Sequence, residues 1–544
     1  MRKTLAILLI LVLVLGTMGL TACGGKAENE IWIGAVNAGY GVEWLKKTVQ
    51  EFNEMQDEYV VVMNDCDSPN FNSKAEQQLK DPKSAENDIY LISEIWWKTN
   101  AKNLYFKPLD EVYSAMFNDD MTIEEAMRPE NLAEAKVVDK NGEDHYYAIN
   151  YETTNSGLIY NKTIAEYYES LSNWGSTPKM AQIKNGGTVD QLIMWMDRIA
   201  ELSKTYYAFG DGTHYLDGTT AIVPSYNTGA AAKDLPNAKV GEQLPNVYPI
   251  VYAGMHSYWD AVINTWWAQS EGVEGYRSFF EYDSPLVYQQ QGRLDALKAL
   301  EKLQVNDRSV PGSVSMDHIQ SQNEFLRGRA AIIPCGDWMY YESRNAADSW
   351  GTDFEMIYVP ACNDNVKQRN IISSSDGGLC VIPNNDKVNY EGCIEFLKYL
   401  FSEQGCINYT SETGSLWGFD GYEGEETYAS ILKDAGEFSP FNEQVFDLVN
   451  NANGYVTKLP NDLDAPNAAF ATTSGVAGEW PGQNLTYIRE GTKTAQQIFD
   501  ACISYVGEET PDHTPPEGET ISQWDRWWNI VHVGISIDAE EDVD

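Results

Sequence analysis

The chain has 544 residues, a formal charge of −43 and six His. That length holds two or more domains with ample core. The acidic surface repels phosphate backbones, which excludes nucleic acid as a partner. No pair of the His has metal-ligand spacing, which excludes a zinc site; no other cofactor is expected.

The first residues, MRKTLAILLILVLVLG, carry Arg2 and Lys3 ahead of an apolar run. The run is too short and wrongly flanked to span a membrane, so 1–22 reads as a secretory signal outside the fold. No later stretch reaches spanning length. Leu20-Thr21-Ala22-Cys23 resembles the bacterial lipobox, in which the cysteine takes a diacylglycerol and becomes the mature N-terminus. Cys23 is therefore the expected lipidation site, with 23–30 as a tether. More than one acyl chain makes such an anchor durable. Once Arg2 and Lys3 leave with the signal, the charge becomes −45, and the body should stand off an anionic membrane.

IWIGAV (31–36) reads as a strand, and 41–55 as an amphipathic helix with Trp44, Leu45, Val49, Phe52 and Met55 on one stripe. YVVVM (59–63) is the next strand, so this unit implies a parallel pair with a right-handed crossover. A more polar helix (72–80) and a third strand (88–93) follow. The chain opens as a wound α/β domain. Residues 146–168 read as two extended segments and a helix. Residues 188–204 form a helix started by a Thr188/Gln191 capping box, with Leu192, Trp195, Met196, Ile199 and Leu202 inward. Residues 205–250 are loop-heavy. Helices are expected at 256–269 and 292–304, the first with Trp259, Trp266 and Trp267 along one side. At the end, polar 508–520 precedes apolar, aromatic 522–537, which should dock back on the body.

Seven cysteines besides Cys23 remain, without Cys-x-x-Cys spacing. Cys335, Cys380 and Cys393 lie in apolar runs and read as buried thiols, and no disulfide is assigned. The Asp-containing loop 461–467 lacks the EF-hand pattern and reads as solvated.

Three ordered stretches carry a resemblance. They are GLIYNK (157–162), NEFLRGRAAIIPCGDW (323–338) and SSSDGGLCVIPNNDKVNYEGCIEFLKYLFSEQG (373–405). In the second, a helix ends at Gly328, a left-handed C′ residue, before a short strand and Gly336-x-Trp338. Together with the lipobox, they resemble the family 1 extracellular solute-binding proteins. These are the sugar and oligosaccharide receptors of ABC importers, such as maltodextrin-binding proteins. The resemblance runs over 31–505, leaving 506–544 as an extension. It implies an α/β, two-lobe fold of the type II periplasmic-binding-protein kind. Lobe 1 would be 31–150 plus 362–418, and lobe 2 would be 151–361 plus 419–505. Crossings near 149–154 and 359–375 would be the hinge. Ligands of open α/β sheets bind beyond the carboxyl ends of strands, so the ligand cleft lies between the lobes and closes by hinge motion.

The resemblance implies a monomeric lipoprotein on the outer face of the cell membrane. It would capture a carbohydrate and pass it to an ABC permease, with no catalytic residue. Two alternatives stand beside it: a receptor for a peptide or cationic solute, and a surface glycoside hydrolase. No carboxylate pair stands out in the sequence for the latter.

A sugar site wants aromatic plates and planar polar side chains. Trp338 matches a family position that stacks on sugar, though Asp337 stands where the family often has proline. Asp376 and Gly377 begin the strand after the second crossing, where Gly377-Gly378 permits close backbone approach. Glu94, Trp96 and Trp97 follow the third strand, at the cleft edge. Tyr40 follows the first strand. Thr154 and Asn155 lie at the first crossing, with Glu152 slightly earlier. Trp259 is a candidate for cleft lining, with core as the stronger reading. Trp417 sits at a third expected crossing.

Overall fold

The computed structural model describes residues 26–529 apart from 38, 67–69, 93–96, 128–131, 133–134, 204–212, 217–218, 223–246, 256–257, 281–285, 287–288, 305–307, 343–351, 416–438, 458–486, 489–490, 515–520, 523 and 526. In chain order, the described strands are β1 (Glu30–Ala35), β2 (Val60–Asp65), β3 (Ile89–Ile92), β4 (Lys136–Val138) and β5 (Asp144–Tyr146). After them come β6 (Ile149–Asn161), β7 (Thr213–Leu216), β8 (Thr219–Ile222) and β9 (Tyr248–Ile250). The last are β10 (Ala330–Gly336), β11 (Phe354–Ile357), β12 (Ile371–Val381) and β13 (Gly454–Thr457).

Two long strands, β6 and β12, organise the molecule. They run antiparallel in register from Ser373↔Ser156 to Cys380↔Ile149, with irregularities around Gly378. The end of β12 (379–381) pairs with β3, and β3 leads on through β1 to β2, both neighbours of β1 being parallel to it. The start of β12 (371–374) pairs instead with β13. The later part of β6 (156–161) pairs with β10 and β11, and β10 carries β9. One continuous hydrogen-bonded path, β2-β1-β3-β12-β6-β10-β9, thus serves two sheets. They share only the middle of these two strands. This is the two-lobe arrangement.

Each sheet carries a core on both faces. In β3, Ile89 and Leu91 point into one core with Leu45, Phe52, Phe396 and Leu400. Tyr90 and Ile92 point to the other side, against Phe71, Leu79 and Phe106. The period-two alternation of a strand makes both assignments from one apolar run. In the second lobe, Ile332 of β10 joins a core rich in tryptophan, including Trp195, Trp259, Trp266 and Trp267. Ile333 faces the opposite side with Phe325, Met339 and Phe441. A Trp buried this way removes roughly 200 Å² from water, about 5 kcal/mol before entropy is charged.

The helices begin and end where local chemistry dictates. Thr188 N donates to Gln191 Oε1 (3.0 Å) and Gln191 N to Thr188 Oγ1 (3.3 Å), the expected box ahead of Val189–Ser203. Gly328, at φ +72°, follows the helix His318–Leu326. Helix Glu43–Met55 buries Trp44, Leu45, Val49 and Phe52, but Met55 is 62% exposed. The expected stripe overshoots, because the last turn of the helix passes the edge of the core. At the other end of the chain, Trp524, Trp527 and Trp528 pack against the tryptophan-rich core of the second lobe. The described part of the expected docking segment, up to Asn529, thus lies on the body, while 530–537 lies outside the described residues. The six described cysteine side chains, Cys66, Cys335, Cys362, Cys380, Cys393 and Cys406, are free thiols and buried.

Candidate functional site

Where β6 and β12 pass between the sheets, loops from both lobes meet. The loop after β1 contributes Gly39, Tyr40 and Gly41. The turn after β10 contributes Asp337, Trp338 and Tyr341. Gly336 ends β10 opposite Ser156. A methyl group at Gly336 would lie 1.9 Å from the Trp338 ring, so only glycine lets the indole fold back over its own turn. That is the physical content of the Gly-x-Trp motif. Trp338 is half-buried. It packs against a core of each lobe and stands edge-on to Tyr258 at 5.6 Å. Gly41, at φ +69°, has no room for a Cβ beside the Tyr341 hydroxyl, 2.6 Å away. The two loops are therefore pressed together at backbone range.

Asp337 is the polar centre of this junction and is buried. Tyr40 Oη donates to its Oδ1. Asn155 donates to its Oδ2 twice, from the backbone N–H (3.1 Å) and from Nδ2 (2.9 Å). The Asp337 N–H returns a bond to the Asn155 carbonyl (2.9 Å). Ser374 Oγ donates to Asn155 Oδ1 (2.8 Å), which ties β12 to β6 at the same point. One carboxylate so joins a loop of the first lobe, the turn of the second and, through Asn155, both crossing strands.

Glu152 lies beside it on β6, half-buried. Burial pushes its carboxyl up to about 8, and the neighbouring Asp337 carboxylate adds to the rise. Burial also lifts Asp337 to about 6, against the bonds from Tyr40 and Asn155 that favour its charge. Burial thus favours the protonated form of both acids, Glu152 the more, while the Tyr40 and Asn155 donors favour charge on Asp337. The surrounding rings are Tyr40 and Tyr409 (6.0 Å between centroids), with Trp44 against Tyr409 (5.1 Å) and Tyr151 (5.8 Å). A methyl at Gly378 would meet the Tyr151 ring at 2.4 Å, so the close backbone approach expected of the Gly377-Gly378 pair is made by Gly378. Among the described residues, no group of His, Cys, Asp and Glu is arranged to hold a metal.

The fold brings Tyr40, Asn155 and Trp338 together with Asp337. Asp376 and Gly377 lie in β12 on the adjoining stretch, Asp376 in register with Thr153. Trp97 opens the helix Trp97–Lys102 and packs, half-buried, against the Phe71–Tyr90 core. Trp259 is 1% exposed, inside the second-lobe core against Tyr252, and does not join the others. Trp266 and Trp267 share that core. Glu94, Trp96, Trp417 and Cys23 lie outside the described residues. The carboxylate pair Glu152 and Asp337, with Ser374, Tyr151 and Tyr409, is what sequence reading alone did not assemble. Its one local signal is the acidic residue ahead of Asn155.

The family model of the bacterial extracellular solute-binding proteins matches residues 47–429. No curated protein sequence matches the chain. Among solved structures, the chain is similar to ligand-free RafE from Streptococcus pneumoniae (TM-score 0.55, 13% identity, 89% of this chain and 98% of that one). It is also similar to a protein of xylan utilization from Caldanaerobius polysaccharolyticus (0.58, 14%, 88% and 100%). A third is the cyclic α-maltosyl-1,6-maltose-binding protein of Arthrobacter globiformis (0.53, 15%, 88% and 97%). At these identities the likeness is one of fold. With its two lobes, its crossing strands and a family match over most of its length, the chain belongs to the bacterial extracellular solute-binding proteins.

Proposed function

We propose that this is the lipid-anchored receptor of an ABC importer. It captures a carbohydrate, an oligosaccharide in class rather than a single ring, between lobes 31–150 plus 362–418 and 151–361 plus 419–505. It then delivers that ligand to the permease from the outer face of the membrane, held by Cys23. The observation that carries this reading is Trp338, a half-buried indole at the lobe junction beside a network of amide, hydroxyl and carboxyl groups. Flat C–H faces of a sugar suit the ring. RafE, also solved in complex with raffinose, and the cyclic α-maltosyl-1,6-maltose-binding protein share the fold. The reading is non-enzymatic: of the two carboxylates at the junction, Asp337 already spends both oxygens on Tyr40 and Asn155.

The test is a thermal-shift screen of the mature chain against mono- and oligosaccharides, peptides and polyamines. A ligand specific to the folded state raises the melting temperature by mass action. A sugar that stabilises the protein and is recovered intact supports the proposal. A response confined to peptides or polyamines overturns the carbohydrate assignment. A sugar recovered cleaved overturns the receptor assignment.

A further inference from the structure

We infer that Asp337 is a positioning residue that latches the two lobes together through Tyr40, so that closure of the cleft is stabilised by the protein itself as well as by any ligand. The inference stands on the two-lobe fold and does not depend on the class of ligand.

The two partners belong to different lobes. Tyr40 sits in the core of the first lobe, 3% exposed, with Trp44 and Tyr409. Asp337 follows β10, whose side chains Ile333 and Cys335 lie in a core of the second. They are 297 positions apart in the chain. Along the sheet, among the described residues, the lobes are joined by the two crossing strands. A latch at this place requires that hinge opening part these loops and break the Tyr40–Asp337 bond. It is also complete without a third party. Tyr40 supplies its hydroxyl, and both carboxylate oxygens of Asp337 are occupied by protein donors.

The contact is broader than one bond. Gly41 lies against Tyr341, and Gly39 against the Cβ of Trp338. The Gly39 N–H is directed at the Glu342 carboxylate, which Gln322 Nε2 also bonds at 2.7 Å. Trp338 fills the space between the two lobe cores. Asn155 gives the latch its leverage. It holds Asp337 with two donors while Ser374 holds Asn155 from the other crossing strand. The carboxylate is thus fixed to the hinge itself, and Tyr40 closes onto a rigid acceptor. A hydrogen bond to a charged group inside such a junction biases the open–closed equilibrium roughly tenfold or more.

The test is small-angle X-ray scattering of the mature chain with Cys23→Ser, without added ligand. The wild type is expected to scatter as a compact, closed species. Tyr40→Phe, which removes one oxygen and keeps the ring, is expected to raise the radius of gyration and broaden the distance distribution. Its melting curve should stay cooperative. Asp337→Ala is the second variant: it removes both acceptor oxygens, so no side-chain oxygen remains at this position to accept from Tyr40, and it should open the lobes in the same way. If Tyr40→Phe does not fold, Asp337→Ala decides alone. An open wild type, or a variant that folds and scatters like the wild type, overturns the latch.

Discussion

Gly336 and Trp338 are fitted to each other: the indole occupies the space a Cβ at position 336 would need, with ring atoms 1.9–2.3 Å from that point. The motif works as a unit. Gly336→Ala should force the Trp338 ring out of its rotamer and cost about 1–3 kcal/mol as overpacking does. Chemical denaturation would measure it. An unchanged midpoint would mean that the ring has another place to go.

Two tryptophans should separate binding from stability. Trp338→Ala should weaken the sugar found by the screen by about thirtyfold, the scale of a central aromatic anchor. It should leave a folded protein. Trp259→Ala should cost about 3–5 kcal/mol of stability as a core truncation and leave the affinity of the folded fraction unchanged. Calorimetric titration beside thermal melts distinguishes them.

The Glu152–Asp337 pair predicts a pH dependence of definite sign. Burial, with the Asp337 charge added, raises Glu152 to about 8 in the folded state, against about 4.3 for an unfolded glutamate. The folded protein therefore holds a proton that the unfolded chain has lost across this window. Its contribution to stability is full below pH about 4 and declines as pH rises to about 8. Asp337, lifted by burial to about 6, adds the same sign over the lower part. The melting temperature should fall from pH 6 to pH 9, and Glu152→Gln should flatten that slope. An equal slope in wild type and variant would assign the dependence elsewhere.

The tail should detach as a unit. Asp525 is fully buried and accepts from Thr510 N (2.9 Å), Ser522 Oγ (2.9 Å) and His513 Nδ1 (3.2 Å), while His513 stacks on Trp528 at 3.8 Å. Burial alone would raise the Asp525 carboxyl, but these bonds outweigh it and hold it below the usual range. The tail's contribution is present above pH about 4 and is lost as pH falls through that lowered value. Asp525→Ala should leave these donors unpaired, about 1–3 kcal/mol. Limited proteolysis should then cut within 507–529 first. Cleavage elsewhere at the same rate would show that Asp525 does not hold the tail.

The thiols should be silent in the folded protein. Burial pushes Cys362 up to about 11 and the Cys335, Cys380 and Cys393 thiols upward as well. Thiolate is the reactive form, so iodoacetamide at pH 8 should label none of these four until the chain is unfolded. Labelling of any of them in the native state would contradict its placement.

Local pattern carried much of this molecule. The stripe Trp44, Leu45, Val49 and Phe52, the Thr188 box, the left-handed Gly328 and the apolar run of β3 are each fixed by neighbours within a few positions, so residue spacing alone reveals them. Met55 shows where that logic stops, since a stripe does not say where the core ends. Trp259 and Trp338 show it again. Both are tryptophans near a motif, and one is 1% exposed in a core while the other is half-buried at the lobe junction.

By itself the sequence determined the α/β elements, their order, the buried thiols and the resemblance that names the family, because periodicity and capping act over short stretches of chain. Tertiary structure alone decided that Asp337 meets Tyr40 from 297 positions away and Asn155 from 182. It also decided that Glu152 sits beside them as a desolvated acid. Those contacts depend on how two lobes meet across two shared strands, and burial and electrostatic coupling come into being only when distant segments are brought to the same place.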